Sequence, residues 1–221
     1  MNDRADPAAH GGSSTDWRAW HDAYDDETSE LSRRLRIVRG QIDRWLTRSA
    51  GRVRVVSACA GQGRDLIGVL AGRPDAGRVQ ATLIEYDPRN VAVARAAAER
   101  AGLSNLTVRQ ADAGRLASYV GAVPADLVLM VGVLGNITDA DVRRTVLSLP
   151  QLCAEGGTVI WTRTREAPDL TPAVRGWFRD SGFAQEAFHA PEGALFSVGV
   201  HRLAGRPRSL DESGTIFSFV R

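Results

Sequence analysis

The sequence predicts an α/β fold, a doubly wound and mostly parallel sheet of about seven strands, Rossmann-like in plan. Three observations predict it. From Val53 to Arg163, β-rich runs alternate with helical segments. One of those runs, Asp126-Leu127-Val128-Leu129-Met130-Val131, is continuously apolar after its first residue, as a central parallel strand covered on both faces has to be. After Ala184 the β-rich runs follow one another with no helix between them, and strands so joined cannot be parallel neighbours, so the sheet should finish antiparallel.

Taken in order, residues 1 to 14 are rich in Ala, Gly, Ser and Asp without periodicity and are expected to be a disordered tail. Residues 15 to 221 then form one domain. Within it, 15 to 48 are expected to be helical: Trp17, Trp20, His21 and Tyr24 recur at helical spacing, and a longer helix from about Glu30 to Arg48 carries Leu31, Leu35, Val38, Ile42 and Trp45 on one stripe. The first strand ends in a glycine turn, Cys59-Ala60-Gly61-Gln62-Gly63. A helix opening at Gly63 should run to about Ala71 and stop at Gly72. The next strand ends at Glu85. Asp87 can cap the helix after it, Pro88 suits its first turn, and Gly102 stops it. Leu106 to Arg109 is a short strand, Asp112-Ala113-Gly114 leads into a helix, and Thr138-Asp139-Ala140-Asp141 starts another that Pro150 should end. Thr158 to Arg163 is the fifth strand, and Thr171-Pro172 caps a helix reaching about Asp180. Three segments then compete for the last two strand positions: Ala184 to His189, Leu195 to Leu203, and Thr215 to Val220. His189 and His201 lie on these runs and are expected to be structural.

The turn between the first strand and its helix is a place to hold a ligand. Two glycines one residue apart let a backbone come close to a bound group, and a helix start offers N–H donors to an anion. Glu85 stands at the end of the next strand, about 20 residues on, the spacing of a carboxylate that grips ribose hydroxyls. A dinucleotide fold wants a small residue three positions after the second glycine, and Leu66 stands there, which counts against NAD. Tyr86 can lie along an adenine face, and Asp112 can accept from an exocyclic amine.

This set resembles the S-adenosylmethionine site of class I methyltransferases over roughly residues 50 to 163. The family's acid–x–Gly–x–Gly–x–Gly appears here as Ser57-Ala58-Cys59-Ala60-Gly61-Gln62-Gly63, with Ser57 and Cys59 in place of the acid and the first glycine. The resemblance implies S-adenosylmethionine as cofactor. Its contacts would come from Cys59, Ala60, Gly61, Gln62, Gly63, Glu85, Tyr86, Asp112, Ala113 and Gly132, with Asp65 or an N-terminal residue meeting the methionine amino group. It also implies that the N-terminal helices form a lid, with Tyr24 touching the cofactor. Methyl transfer asks chiefly for placement and desolvation, so the candidates for a catalytic role are His21, Tyr24 and Asn136. For His21 an exposed helix residue, and for Asn136 a turn residue, are the structural alternatives.

Composition narrows the function. Of 221 residues 43% are hydrophobic, enough for one full core, and the net charge of +2 is dispersed along the chain with no basic tract. All 28 basic residues are arginine, which excludes a lysine base or Schiff base and suggests a high-GC bacterial source. No run approaches a membrane span, no secretory signal opens the chain, and two cysteines without metal-ligand spacing suit a reducing cytoplasm. The expected partner is a small-molecule acceptor, with no metal, nucleic acid or membrane, and an oligomeric state left open. An RNA methyltransferase, an NAD dehydrogenase and a cofactor-binding protein without transferase activity are the competing functions.

Overall fold

The computed structural model describes residues 29–219. Its centre is a seven-stranded sheet in the order β3-β2-β1-β4-β5-β7-β6, where β1 is Val53–Ala58, β2 Val79–Glu85, β3 Leu106–Gln110, β4 Ala125–Met130, β5 Cys153–Thr164, β6 Phe183–His189 and β7 Phe196–Leu203. β1 to β5 run parallel, and β7 and β6 add an antiparallel end. The chain reverses its direction of winding at β1, so the loops after β1 and β4 part from each other at the carboxyl edge. In open α/β sheets that is where a ligand lies.

The helices are α1 (Glu30–Arg48), α2 (Leu66–Leu70), α3 (Pro88–Arg100), α4 (Asp139–Ser148) and α5 (Thr171–Asp180). The two faces of the sheet carry separate apolar clusters. Val38, Ile42 and Leu46 of α1 pack with α2 and α3 on one face. α4, α5 and the segment Leu116–Tyr119, a 3-10 turn, pack on the other. β4 feeds both clusters with Leu127 and Leu129 pointing one way and Val128 and Met130 the other, all fully buried, which explains its unbroken apolar run.

Most predicted boundaries stand. Asp87 caps α3 by accepting from Arg89 N at 2.8 Å, Thr138 caps α4 by accepting from Asp141 N at 3.1 Å, and Gly102 follows α3 at a φ of +66°. Four differ. α2 begins at Leu66, not at Gly63, because the residues between close a turn first. The helix expected after Asp112 is the short 3-10 turn. α5 has Leu170 at its cap position with no side-chain cap, and Thr171 is its first helical residue, whose N–H is taken by Asp169 Oδ1 at 2.8 Å. Thr215 to Val220 is not a sheet strand: the first two candidates take the sheet positions, while Thr215 and Phe219 make isolated antiparallel bridges to Arg115 and Ile137.

The stripe on α1 is rotated from the expected one. Val38, Ile42 and Leu46 are fully buried, whereas Leu31, Leu35 and Trp45 are half-buried. The tail and the aromatic set Trp17, Trp20, His21 and Tyr24 lie outside the described residues. No helix among the described residues is long and apolar enough to cross a membrane.

Candidate functional site

The carboxyl edge of β1 and β2 is built around one carboxylate. Glu85 is the last residue of β2 and is 7% exposed. Its Oε2 accepts from Gly61 N at 2.7 Å and its Oε1 from Asp87 N at 2.9 Å, so each oxygen is aimed by a backbone donor from a different loop. A carboxylate oxygen has two lone pairs, so each keeps acceptor capacity after that bond. Two oxygens fixed side by side with capacity left are what two vicinal hydroxyls need. The residues therefore fit a ribose.

The glycine turn differs from the sequence expectation in where its donors go. Gly61 N is bonded to Glu85, and Gly63 N donates to Ala60 O at 2.8 Å, so the turn is braced internally before α2 starts. Ala60 N continues the sheet ladder onto Ile84 O at 3.0 Å. Gly63 has a φ of +70°, and a Cβ there would lie 2.6 Å from Ile67 Cδ1 and 2.8 Å from Leu83 Cδ2. The second glycine thus serves close packing of turn, helix and β2. Gln62 accepts from Arg64 Nε at 3.0 Å and so stiffens the same turn.

Cys59 takes the first glycine's place and pays in backbone strain, at a φ of +50°. Burial pushes its thiol well above the usual range, with the negative charges of Glu85 and Asp112 adding to the rise. It is therefore a neutral thiol between two carboxylates, not a nucleophile. Asp65 is buried too. Desolvation raises its pKa, while the Leu66 N–H donated to its Oδ1 at 2.7 Å and the nearby Arg39 and Arg34 charges pull the other way. Arg39 of α1 reaches this corner and donates to Arg64 O through Nε at 2.9 Å. The expected methionine-side role of Asp65 competes with its work as the α2 cap.

On the β3 side, Asp112 Oδ1 accepts from Gly114 N at 2.8 Å, and the side chain is 51% exposed. It closes its own loop and still presents its second oxygen, which lies 3.7 Å from Arg115 Nε. Ala113 is buried, and its carbonyl accepts from the Tyr119 hydroxyl at 2.8 Å. Tyr86 is 65% exposed at the end of β2, open for a flat ring.

After β4, Gly132 N donates to Thr162 Oγ1 at 2.8 Å, and Asn136 Nδ2 donates to Gly132 O at 2.7 Å. Asn136 therefore closes this loop, the turn function open to it from sequence. Arg163 braces the loop from β5, donating to Leu134 O and, at 3.0 Å, to Asp139 Oδ1. Sequence reasoning missed Tyr119, Thr162 and Arg163 as supports of the site. The one signal for the last two was polarity at the carboxyl end of an apolar strand. Of the proposed catalytic residues, Asn136 is placed, while His21 and Tyr24 lie outside the described residues.

Cavity volume points elsewhere. A cavity of about 640 Å³ lies at the opposite, amino edge of the strands, lined by Arg52, Arg54, Arg78, Thr82 and Asp126 among others. We assign the site to the carboxyl edge because that is where fixed acceptors with remaining capacity converge.

Residues 55–157 match a family described as a methyltransferase domain. No curated protein matches the chain in sequence. Among solved structures, it is similar to 1,6-didemethyltoxoflavin-N1-methyltransferase from Burkholderia thailandensis, determined with 1,6-didemethyltoxoflavin and S-adenosylhomocysteine bound. The TM-score is 0.64 at 16% identity, over 86% of this chain and 84% of that one. Magnesium protoporphyrin IX methyltransferase from Synechocystis PCC 6803, determined with bound SAM, gives a TM-score of 0.63 at 16% identity, over 86% of this chain and 91% of that one. An O-methyltransferase family protein from Burkholderia thailandensis gives 0.58 at 17% identity, over 89% and 70%. At such identities the likeness is one of fold.

Proposed function

The chain carries a methyltransferase domain of the class I fold, with S-adenosylmethionine as its cofactor, and from that premise we propose that it methylates a small-molecule acceptor in the cytoplasm. The observation that carries the reading is the Glu85 carboxylate, held by Gly61 N and Asp87 N with acceptor capacity left on both oxygens. In this reading Glu85 holds the ribose, Tyr86 and the Asp112–Ala113 loop hold the adenine, and the turn from Cys59 to Gly63 carries the backbone past the methionine portion. Asp65 and the loop at Gly132 flank that portion.

A sulfonium supplies an already electrophilic methyl group when the cofactor is bound, so the chain's residues have to orient and desolvate rather than to activate. Glu85 orients through two fixed oxygens. The loops after β1 and β4 wall off water, and Arg163 and Thr162 hold the second of these in place. Any proton from the acceptor would pass to solvent or to His21, the N-terminal candidate for a general base.

A small acceptor is supported by the dispersed charge, by a single compact domain without a basic tract, and by the small acceptors named for two of the similar structures. The test has two steps. Calorimetric titration should show uptake of S-adenosylmethionine and none of NAD. Incubation with methyl-labelled S-adenosylmethionine and a metabolite extract should then place label in a small molecule. Label in RNA or protein would overturn the acceptor class, and binding without any product would leave a cofactor-binding protein.

A further inference from the structure

Beyond β7 the described residues form no sheet strand, yet they are pinned at several points. Arg208 N donates to Pro150 O at 2.9 Å and Asp211 N to Gln151 Oε1 at 2.8 Å, and Ile216 and Phe217 are each 1% exposed. These residues pack on the face of the sheet beside α4 and the 3-10 turn, which is the only helical element that the connection from β3 to β4 carries among the described residues. At its end the segment meets both loops of the carboxyl edge. On one side Leu116 N donates to Gly214 O at 2.9 Å, and Ile216 N donates to Gly114 O at 2.7 Å. On the other, Ser218 N donates to Asp141 Oδ2 at 3.2 Å, and Phe219 forms a bridge with Ile137. The approach at Gly114 is so close that a Cβ there would lie 2.2 Å from Phe217 O.

We propose that residues 214–219 are a positioning strap for the nucleoside end of the cofactor site, holding the Asp112–Gly114 loop at a set distance from the loop after β4. This rests on the reading of Asp112 and Ala113 as adenine-side residues. The strap has no regular structure of its own, so its place is set by what anchors it. Its main anchor is α4: Ile216 O accepts from Thr145 Oγ1 at 3.1 Å and from Arg144 Nε at 3.2 Å. Thr145 is fully buried on α4 and has no part in the proposed binding set, so a change there reaches the adenine loop only by way of the strap.

The experiment uses the full chain carrying Thr145→Val, with Val200→Ala, on the other face of the sheet, as a control. Amide exchange and titration with S-adenosylhomocysteine and adenosine are the readouts. Thr145→Val should speed exchange at Leu116 and Ile216, whose amides make the strap's bonds to the loop, and should weaken adenosine and S-adenosylhomocysteine by the same factor, about three- to tenfold for one lost hydrogen bond. Val200→Ala should lower the melting temperature and leave both affinities unchanged. Unchanged exchange at Leu116 and Ile216 in Thr145→Val overturns the strap. Faster exchange with unchanged affinity overturns its positioning role. A wild-type protein that takes up neither nucleoside overturns the cofactor reading itself, and exchange still reports whether the strap holds the loop.

Discussion

The two edges of the parallel strands are lined by the same kinds of residue and do different things. At the amino edge, polar side chains tie segments of the fold together. Arg78 donates to Asp75, to Gly51 O and to Leu46 O in the last turn of α1, and Asn105 donates to Gly77 O. At the carboxyl edge Glu85 bonds only the backbone of the loops beside it and keeps capacity on both oxygens. Helix direction sharpens the difference. α1 brings its negative end to the amino edge, where arginine neutralises its carbonyls, whereas α3 starts at the carboxyl edge. The cavity at the amino edge therefore marks a seam between cross-linked segments, while the convergence of fixed acceptors with capacity left marks the proposed binding edge. Empty volume is a poor guide to a site where the walls are already bonded to each other.

The largest effect that would test this contrast is at Glu85. Losing two bonds to a charged acceptor costs about 1.5–3 kcal/mol each, so Glu85→Ala should weaken S-adenosylhomocysteine at least tenfold by calorimetry. It also leaves the half-buried Gly61 N–H without its partner, so stability should fall as well. Glu85→Gln separates the two, since it keeps the shape and loses the charge. Wild-type affinity in a folded Glu85→Gln protein would break the assignment of the binding edge.

Next comes a buried group at neither edge. His201, 1% exposed, accepts from Trp161 Nε1 through Nδ1 at 3.0 Å and stacks on Phe178, and burial followed by the Arg175 charge lowers its pKa to about 4. The folded value lies below the unfolded one, so its contribution is fully present above pH 6.5 and is lost as pH falls toward 4. About 3 kcal/mol follows from a depression of that size. Thermal melts from pH 7 to 4 should show the loss, and His201→Gln should flatten it. Cofactor affinity per folded molecule should stay level between pH 7 and 6, where the loss at His201 begins and carboxylates keep their charge, if binding belongs to the carboxyl edge.

Arg78→Ala tests the amino edge directly. It removes three anchoring contacts from a half-buried side chain and should cost about 2 kcal/mol in denaturant melts, with S-adenosylhomocysteine affinity unchanged. A tenfold loss of affinity there would dissolve the distinction between the edges. Within the carboxyl edge, Asp112→Ala should weaken adenosine by about 1–1.5 kcal/mol, while the loss for the methionine portion stays negligible. Equal losses for both would make Asp112 a loop cap and nothing more.

The smallest effect concerns Cys59. Cys59→Gly removes a strained positive φ and should raise stability by about 1 kcal/mol or less once the lost thiol packing is set against it. The raised thiol pKa predicts slow alkylation at pH 7.5, read by mass spectrometry.

What could be foreseen varies with the range of the interactions involved. The alternation of strands and helices, the end of β2 at Glu85, and the caps Asp87 and Thr138 were legible because each depends on residues within a few positions of one another. The cap of α5 was misplaced by one residue, since Thr171 has a capping side chain and Leu170, which takes the position, has none. The tail segment from Thr215 was expected to compete for a sheet position because its pattern suits a strand. It lost that place to Phe196–Leu203, which β5 pairs over seven residues.

By itself the sequence pointed to the proposed binding edge: a glycine turn after one strand and an acid at the end of the next must lie side by side when the strands are parallel neighbours. It could not determine how the acid is held, because Glu85 takes Gly61 N from 24 residues away, nor that Tyr119, Thr162 and Arg163 brace the loops. It could not place the last residues either. Residues 214–219 lie between Gly114 and Asp141 because the connection from β3 to β4, with its 3-10 turn as the only helical element, leaves that face of the sheet uncovered. A vacancy in packing is a property of the assembled sheet, and no local pattern records it.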